Sequence, residues 1–80
     1  MILDYINEAM HTAIYEVLED DGSFYGEIPS CRGVYANALS LESCRNELAG
    51  VLEEWLLIRI YRNLPIPEIN GVTVEIKAVA

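Results

Sequence analysis

Basic residues are scarce in this chain of 80 residues: Lys and Arg together number 5 against 13 Asp and Glu, for a net charge of −8. That balance argues against nucleic acid or an anionic membrane surface as a direct ligand, since both are bound by displacing counterions with cations. A basic protein is the natural complement, although acidity also serves simply to keep a small domain soluble. Soft metal ligands are equally few. His11, Cys31 and Cys44 make three at most, without the paired spacing of a zinc site, so no metal or cofactor is expected. G-x-G-x-x-G, P-loop, H-E-x-x-H and G-x-S-x-G motifs are all missing. So are internal repeats and low-complexity segments. The apolar run WLLIRIY is short and contains Arg59, and the opening MILDYINEAM carries acids where a secretory leader needs positive charge. The expectation is a cytoplasmic protein whose cysteines are free thiols.

What the sequence does hold is a core. Hydrophobic residues make up 52% of the chain, enough for one small domain spanning 1–80, with residues 1–10 as a peripheral helix and 11–79 as the core. Ile2, Tyr5, Ile6 and Ala9 recur at three- and four-residue spacing and predict the helix over 2–10. The stretch 11–19 (HTAIYEVLE) is rich in β-branched and aromatic residues and predicts a strand. Asp20-Asp21-Gly22 supplies a turn and SFYGEI a second strand, giving a hairpin over 11–28. Pro29 and Gly33 mark a loop before a short third strand at 34–37. Ser40 caps a long helix whose residues Leu41, Cys44, Leu48, Val51, Leu52 and Trp55 form one apolar stripe. Leu64-Pro65-Ile66-Pro67 stops it, Asn70-Gly71 turns the chain, and VTVEIKAV alternates as a final strand with Val72, Val74 and Ile76 inward. The class is α+β, in the order α-β-β-β-α-β.

Three groups of residues invite a chemical reading. Glu16, Asp20, Asp21 and Glu27 could form a carboxylate cluster for a metal-dependent nuclease, with Glu16 and Glu27 facing each other across the hairpin. Turn positions and a solvated strand face explain the same four residues more simply. Cys31 as a nucleophile needs a base, and nothing in the sequence brings His11 to it; Cys44 lies in the apolar stripe. The third group is on the helix. Leu57 and Tyr61 project about 180 and 140 degrees from the stripe centre, on the side occupied one turn earlier by Glu53 and Glu54. They predict an interface, most simply with a second copy of the chain. Arg59, about 20 degrees from the stripe centre, is expected either to snorkel past the sheet or to meet an acidic partner group.

The run YEVLEDDGSFYGEIPSCRGVYANALSLESCRNELAGVLEEWLLIRI, followed by LPIPEINGV, resembles the short HicB-like antitoxin family. Members carry a Y-E-x-L-E-D-G-x-Y-Y-G-E-I-P hairpin, a G-V-W-A-x-G-x-T strand and turn, and an L-E-E-C-R-x-E-L…L-E-E-W-L helix. The likeness spans about residues 5 to 72, with Ala38 where the pattern usually has glycine and Tyr35 where it often has tryptophan. It implies a degenerate ribonuclease H-like β-β-β-α-β sheet packed on one long helix, without catalysis, and a role in masking a small basic ribonuclease toxin, HicA. Only the 18 residues after Arg62 are left for the appended DNA-binding module of the wider family, so no operator binding is expected. The rival readings are an orphan self-assembling domain and a metal-dependent nuclease using Glu16, Asp20 or Glu27.

Overall fold

A computed structural model describes residues 2–74. It is an α+β arrangement of two helices and a three-stranded antiparallel sheet: α1 (Ile2–His11), β1 (Ile14–Val17), β2 (Phe24–Glu27), β3 (Tyr35–Ala38) and α2 (Leu41–Tyr61). The strands lie in the order β1-β2-β3. Helix α2 crosses the inner face over β3 and β2, and α1 packs on α2.

Local chemistry sets each boundary. Between β1 and β2, Gly22 takes a φ of 71°, which costs glycine nothing. Asp21 accepts the Ser23 amide at 2.9 Å, an Asx turn, and the Leu18 amide donates to the Ser23 carbonyl at 2.8 Å to close the loop. The Asn37 side-chain amide donates to Ser23 Oγ at 2.9 Å and to the Phe24 carbonyl at 2.8 Å, locking β3 to the start of β2. Helix α2 starts where the Ser40 hydroxyl accepts the Ser43 amide at 3.1 Å. It stops at Asn63, whose φ of 55° lets the Leu64 amide reach back to the Arg59 carbonyl at 2.8 Å and its own amide to the Ile60 carbonyl at 3.2 Å. That is a Schellman cap with asparagine in the place glycine usually takes.

The structure moves several predicted boundaries. The first strand is shorter than 11–19, because α1 continues through His11 and Thr12 closes its last turn by donating both its amide (3.0 Å) and its hydroxyl (2.7 Å) to the Ala9 carbonyl. Nor is α1 peripheral. Tyr5 and Ala9 are both 0% exposed and belong to the same core as the sheet and α2. The second strand runs over 24–27 rather than 23–28, and the third over 35–38 rather than 34–37. Along α2 the buried row is Cys44, Leu48, Leu52 and Leu56, while Val51 and Trp55 are half-buried and Leu41 is exposed. Most of the predicted final strand, including Ile76, lies outside the described residues. Its first residue, Val72, pairs with Ile69 across a tight turn in which Asn70 and Gly71 both have positive φ (48° and 81°).

At the centre, Tyr15, Gly26 and Ala36 lie side by side across the three strands on the inner face, beneath Cys44 of α2. A Cβ on Gly26 would stand 2.8 Å from two atoms of the Tyr15 ring and 3.2 Å from Cys44 Sγ. Gly26→Ala should therefore lower stability by about 1–3 kcal/mol through overpacking. Gly50→Ala, at an exposed position of α2 with nothing within 4 Å of the new Cβ, should raise it by about 0.5–1 kcal/mol. Urea unfolding of the two variants separates the two kinds of glycine.

Candidate functional site

The carboxylates come first. On the outer face of the sheet, Ile14, Glu27 and Tyr35 form one cross-strand row, and Glu16, Tyr25 and Asn37 the next. Glu16 therefore faces Tyr25, and Glu27 faces Ile14; the two glutamates are diagonal neighbours rather than directly opposed, because the register is fixed by the six-residue connection between Val17 and Phe24 and by Tyr15 pointing inward. The Tyr25 and Tyr35 rings stack on the same face, with centroids 6.2 Å apart. Partial burial first, and then the Glu27 charge, push the Tyr25 hydroxyl above its ordinary pKa. Asp21 is spoken for by Ser23, whose hydrogen bonds hold its carboxyl below the usual range. Among the described residues, no three of His, Cys, Asp and Glu come together as a metal-ligating group.

Both thiols are buried and free. Cys44 Sγ lies 3.7 Å from the Ala36 carbonyl, and burial raises its pKa. Cys31 Sγ lies 3.9 Å from the Tyr5 hydroxyl, which donates to the Pro67 carbonyl at 2.7 Å. Burial raises the Cys31 thiol too, against the smaller opposing effects of the Tyr5 hydrogen bond and the Arg59 charge. His11 sits elsewhere, in a groove with Met10, Arg45 and Asn46. A raised pKa and a tyrosine neighbour describe a packed thiol, not an activated nucleophile.

The second half of α2 is different. Leu57 and Tyr61 are 63% and 91% exposed, one turn apart on the same side of the helix. Leu57 borders an apolar groove of about 250 Å³ between the helices, together with Ile2, Leu3, Ile6, Glu53 and Ile60. Of the residues singled out in the sequence, the fold thus brings Glu53 and Leu57 into one groove, whose lining does not include Tyr61. Glu54 is exposed on the neighbouring side of the helix. Arg59 belongs to a different surface: its guanidinium lies 4.7 Å from the Trp55 ring centroid, and its Nε donates to the Pro65 carbonyl at 2.8 Å. It lines an open cavity with Ser30 and Arg32 and does not line the groove. Sequence reasoning missed Leu3 and Ile60, because the groove exists only once α1 is docked. The signal for Arg59 was present in the i, i+4 spacing of Trp55 and Arg59, which stacks the two side chains on any helix.

No helix among the described residues is long and apolar enough to cross a membrane. A family model described as UPF0150-like matches residues 4–67. The chain is similar to the crystal structure of TTHA0281 of Thermus thermophilus at 36% identity and a TM-score of 0.88, over 96% of this chain and 95% of that one. No curated protein matches it.

The buried thiols and Tyr5 give a pH test. All three groups have folded-state pKa values above the ordinary 9.0 of cysteine and 10.0 of tyrosine, so the folded state disfavours their ionised forms. The stability they confer is complete below the unfolded values and is lost as pH rises through the folded ones. The urea midpoint should fall above about pH 9, and by less in Cys31→Ala than in the parent chain. An unchanged alkaline limb in that variant would mean the thiol takes no part in the loss.

Proposed function

The chain belongs to the UPF0150-like family, and on that premise we propose that it is a cytoplasmic, non-enzymatic HicB-like antitoxin that self-associates and occludes a small basic ribonuclease of the HicA type. The single observation that carries the reading is the motif set of residues 5 to 72, seen together with a net charge of −8 in so short a chain. The acids stand where a partner could meet them: Glu16 and Glu27 on the open sheet face, Glu42, Glu47, Glu53 and Glu54 along the exposed side of α2. Occlusion of an RNA-binding surface needs opposite charge and a docking face but no reactive group. The sheet and α2 are taken as the β-β-β-α part of a degenerate ribonuclease H-like fold.

Self-association is assigned to the groove and its margin. Fully covering one aliphatic or aromatic side chain is worth about 1.5–3 kcal/mol, or roughly 60–120 Å² at about 25 cal/mol per Å². Ile2, Leu3, Leu57, Ile58 and Tyr61 are all exposed in the single chain. Five such side chains from each of two copies about a two-fold axis supply on the order of 600–1,200 Å², which reaches the lower range of specific interfaces. A second reading, an orphan self-assembling domain with no toxin, rests on the same groove and shares this dimer.

One experiment separates these. Co-expression with a HicA-type toxin encoded beside this chain should restore growth, and the two should co-purify. If the toxin still kills and no complex forms, the antitoxin assignment fails and the orphan reading stands. For a complex that forms, the association rate should fall steeply as salt rises to physiological strength, where the Debye length is about 8 Å, while the dissociation rate changes less. Self-association is tested by Leu57→Glu with Tyr61→Lys: light scattering should shift to monomer with an unchanged circular dichroism spectrum. A parent chain that is monomeric at high micromolar concentration sinks the dimer.

A further inference from the structure

Residues two apart on a helix point to nearly opposite sides, so the side of α2 away from Leu57 carries Trp55 and Arg59. There, Ser30, Arg32, Trp55, Arg59, Ile66 and the flanking Pro65 and Pro67 line an open cavity of about 320 Å³. The chain has only five Lys and Arg, and two of them meet at this one place. Neither the masking of a toxin nor the dimer groove uses it.

We propose that this cavity is a binding pocket for a phosphate monoester dianion on a small organic carrier. Arg59 is set in place before any ligand arrives. Its guanidinium carbon lies over the Trp55 ring, 4.7 Å from the centroid, and its Nε donates to the Pro65 carbonyl at 2.8 Å, so less rotamer entropy is left to lose and the two Nη amino groups remain as a forked donor. Arg32 brings the second positive charge from the loop between β2 and β3, and the neighbouring Ser30 adds a hydroxyl donor. Two guanidiniums match the charge and the three free oxygens of a monoester dianion; a carboxylate offers one charge and two oxygens, and leaves one cation uncompensated. Trp55, Pro65, Ile66 and Pro67 form apolar walls for the carrier, and the volume falls at the small end of ordinary ligand pockets. The charge of −8 on the whole chain repels an anion at long range, so recognition depends on these short contacts.

Trp55 is the only tryptophan of the chain and forms one wall, so its fluorescence reports occupancy directly. The full chain, in a buffer free of phosphate, is titrated with phenyl phosphate and separately with benzoate. A saturable change with phenyl phosphate is expected, with benzoate weaker by roughly tenfold or more. Arg32→Gln, at an exposed loop position, should weaken phenyl phosphate by roughly tenfold or more, whereas Arg62→Gln, a cation that does not line the cavity, should leave it unchanged. The absence of a saturable response, equal binding of benzoate, or an equal loss in Arg62→Gln would each overturn the assignment.

Discussion

The closeness of α2 to the sheet governs the rest of this molecule. Gly26 and Ala36 present almost no side chain on the inner face, and Cys44 is the small helix residue above them. The Tyr15 ring fills the remaining space by lying across Gly26 from the neighbouring strand. This spares β1 a direct covering by the helix, and the core is completed instead from the other side, where α1 lays Tyr5 and Ala9 against α2. The arrangement has a polar cost. The Tyr15 hydroxyl is buried without a hydrogen-bond partner among the described residues, and burial raises its pKa accordingly.

Because the inner face is consumed by this packing, everything available to a partner lies elsewhere. The outer sheet face offers stacked tyrosines beside glutamates; one side of the second half of α2 offers an apolar groove; the other side offers a cavity lined by two arginines and a tryptophan. These are three surfaces of different character on one small domain. For the proposed roles, the arginine cavity stands apart from the other two surfaces, while Glu53 belongs both to the acidic row of α2 and to the apolar groove.

The sequence revealed the two helices, the three strands and the cap at Ser40, because each rests on near neighbours: a period of 3.6, an alternation of two, a turn triplet, a serine hydroxyl. It also revealed that Leu57 and Tyr61 point away from the buried stripe. It failed where distant residues decide. Thr12 reads as a strand residue by propensity, and only the docking of Tyr5 and Ala9 on α2 makes it the closing residue of α1. Glu16 and Glu27 read as opposed, yet a register offset of two residues gives each a different partner while keeping both on the outer face. Arg59 was placed among apolar neighbours correctly, but its acceptor, the Pro65 carbonyl, depends on how the chain turns after Asn63.

Helix α1 is joined to the remainder over great sequence distance. The Tyr5 hydroxyl and the Pro67 carbonyl are 62 residues apart, as are Glu8 and Asn70, which share a 2.9 Å hydrogen bond. The sheet and α2, in contrast, are connected by short loops. Contacts of low order are expected to form before those of high order, so the sheet with α2 is expected to assemble first and α1 with residues 65–74 to close over it later. The same layer is then expected to open more readily than the centre. Its release would strip Tyr5 from Cys31 while leaving Cys44 between helix and sheet. The two cysteines would then serve as a natural pair of clocks: one timed by the opening of the outer layer, the other by global unfolding.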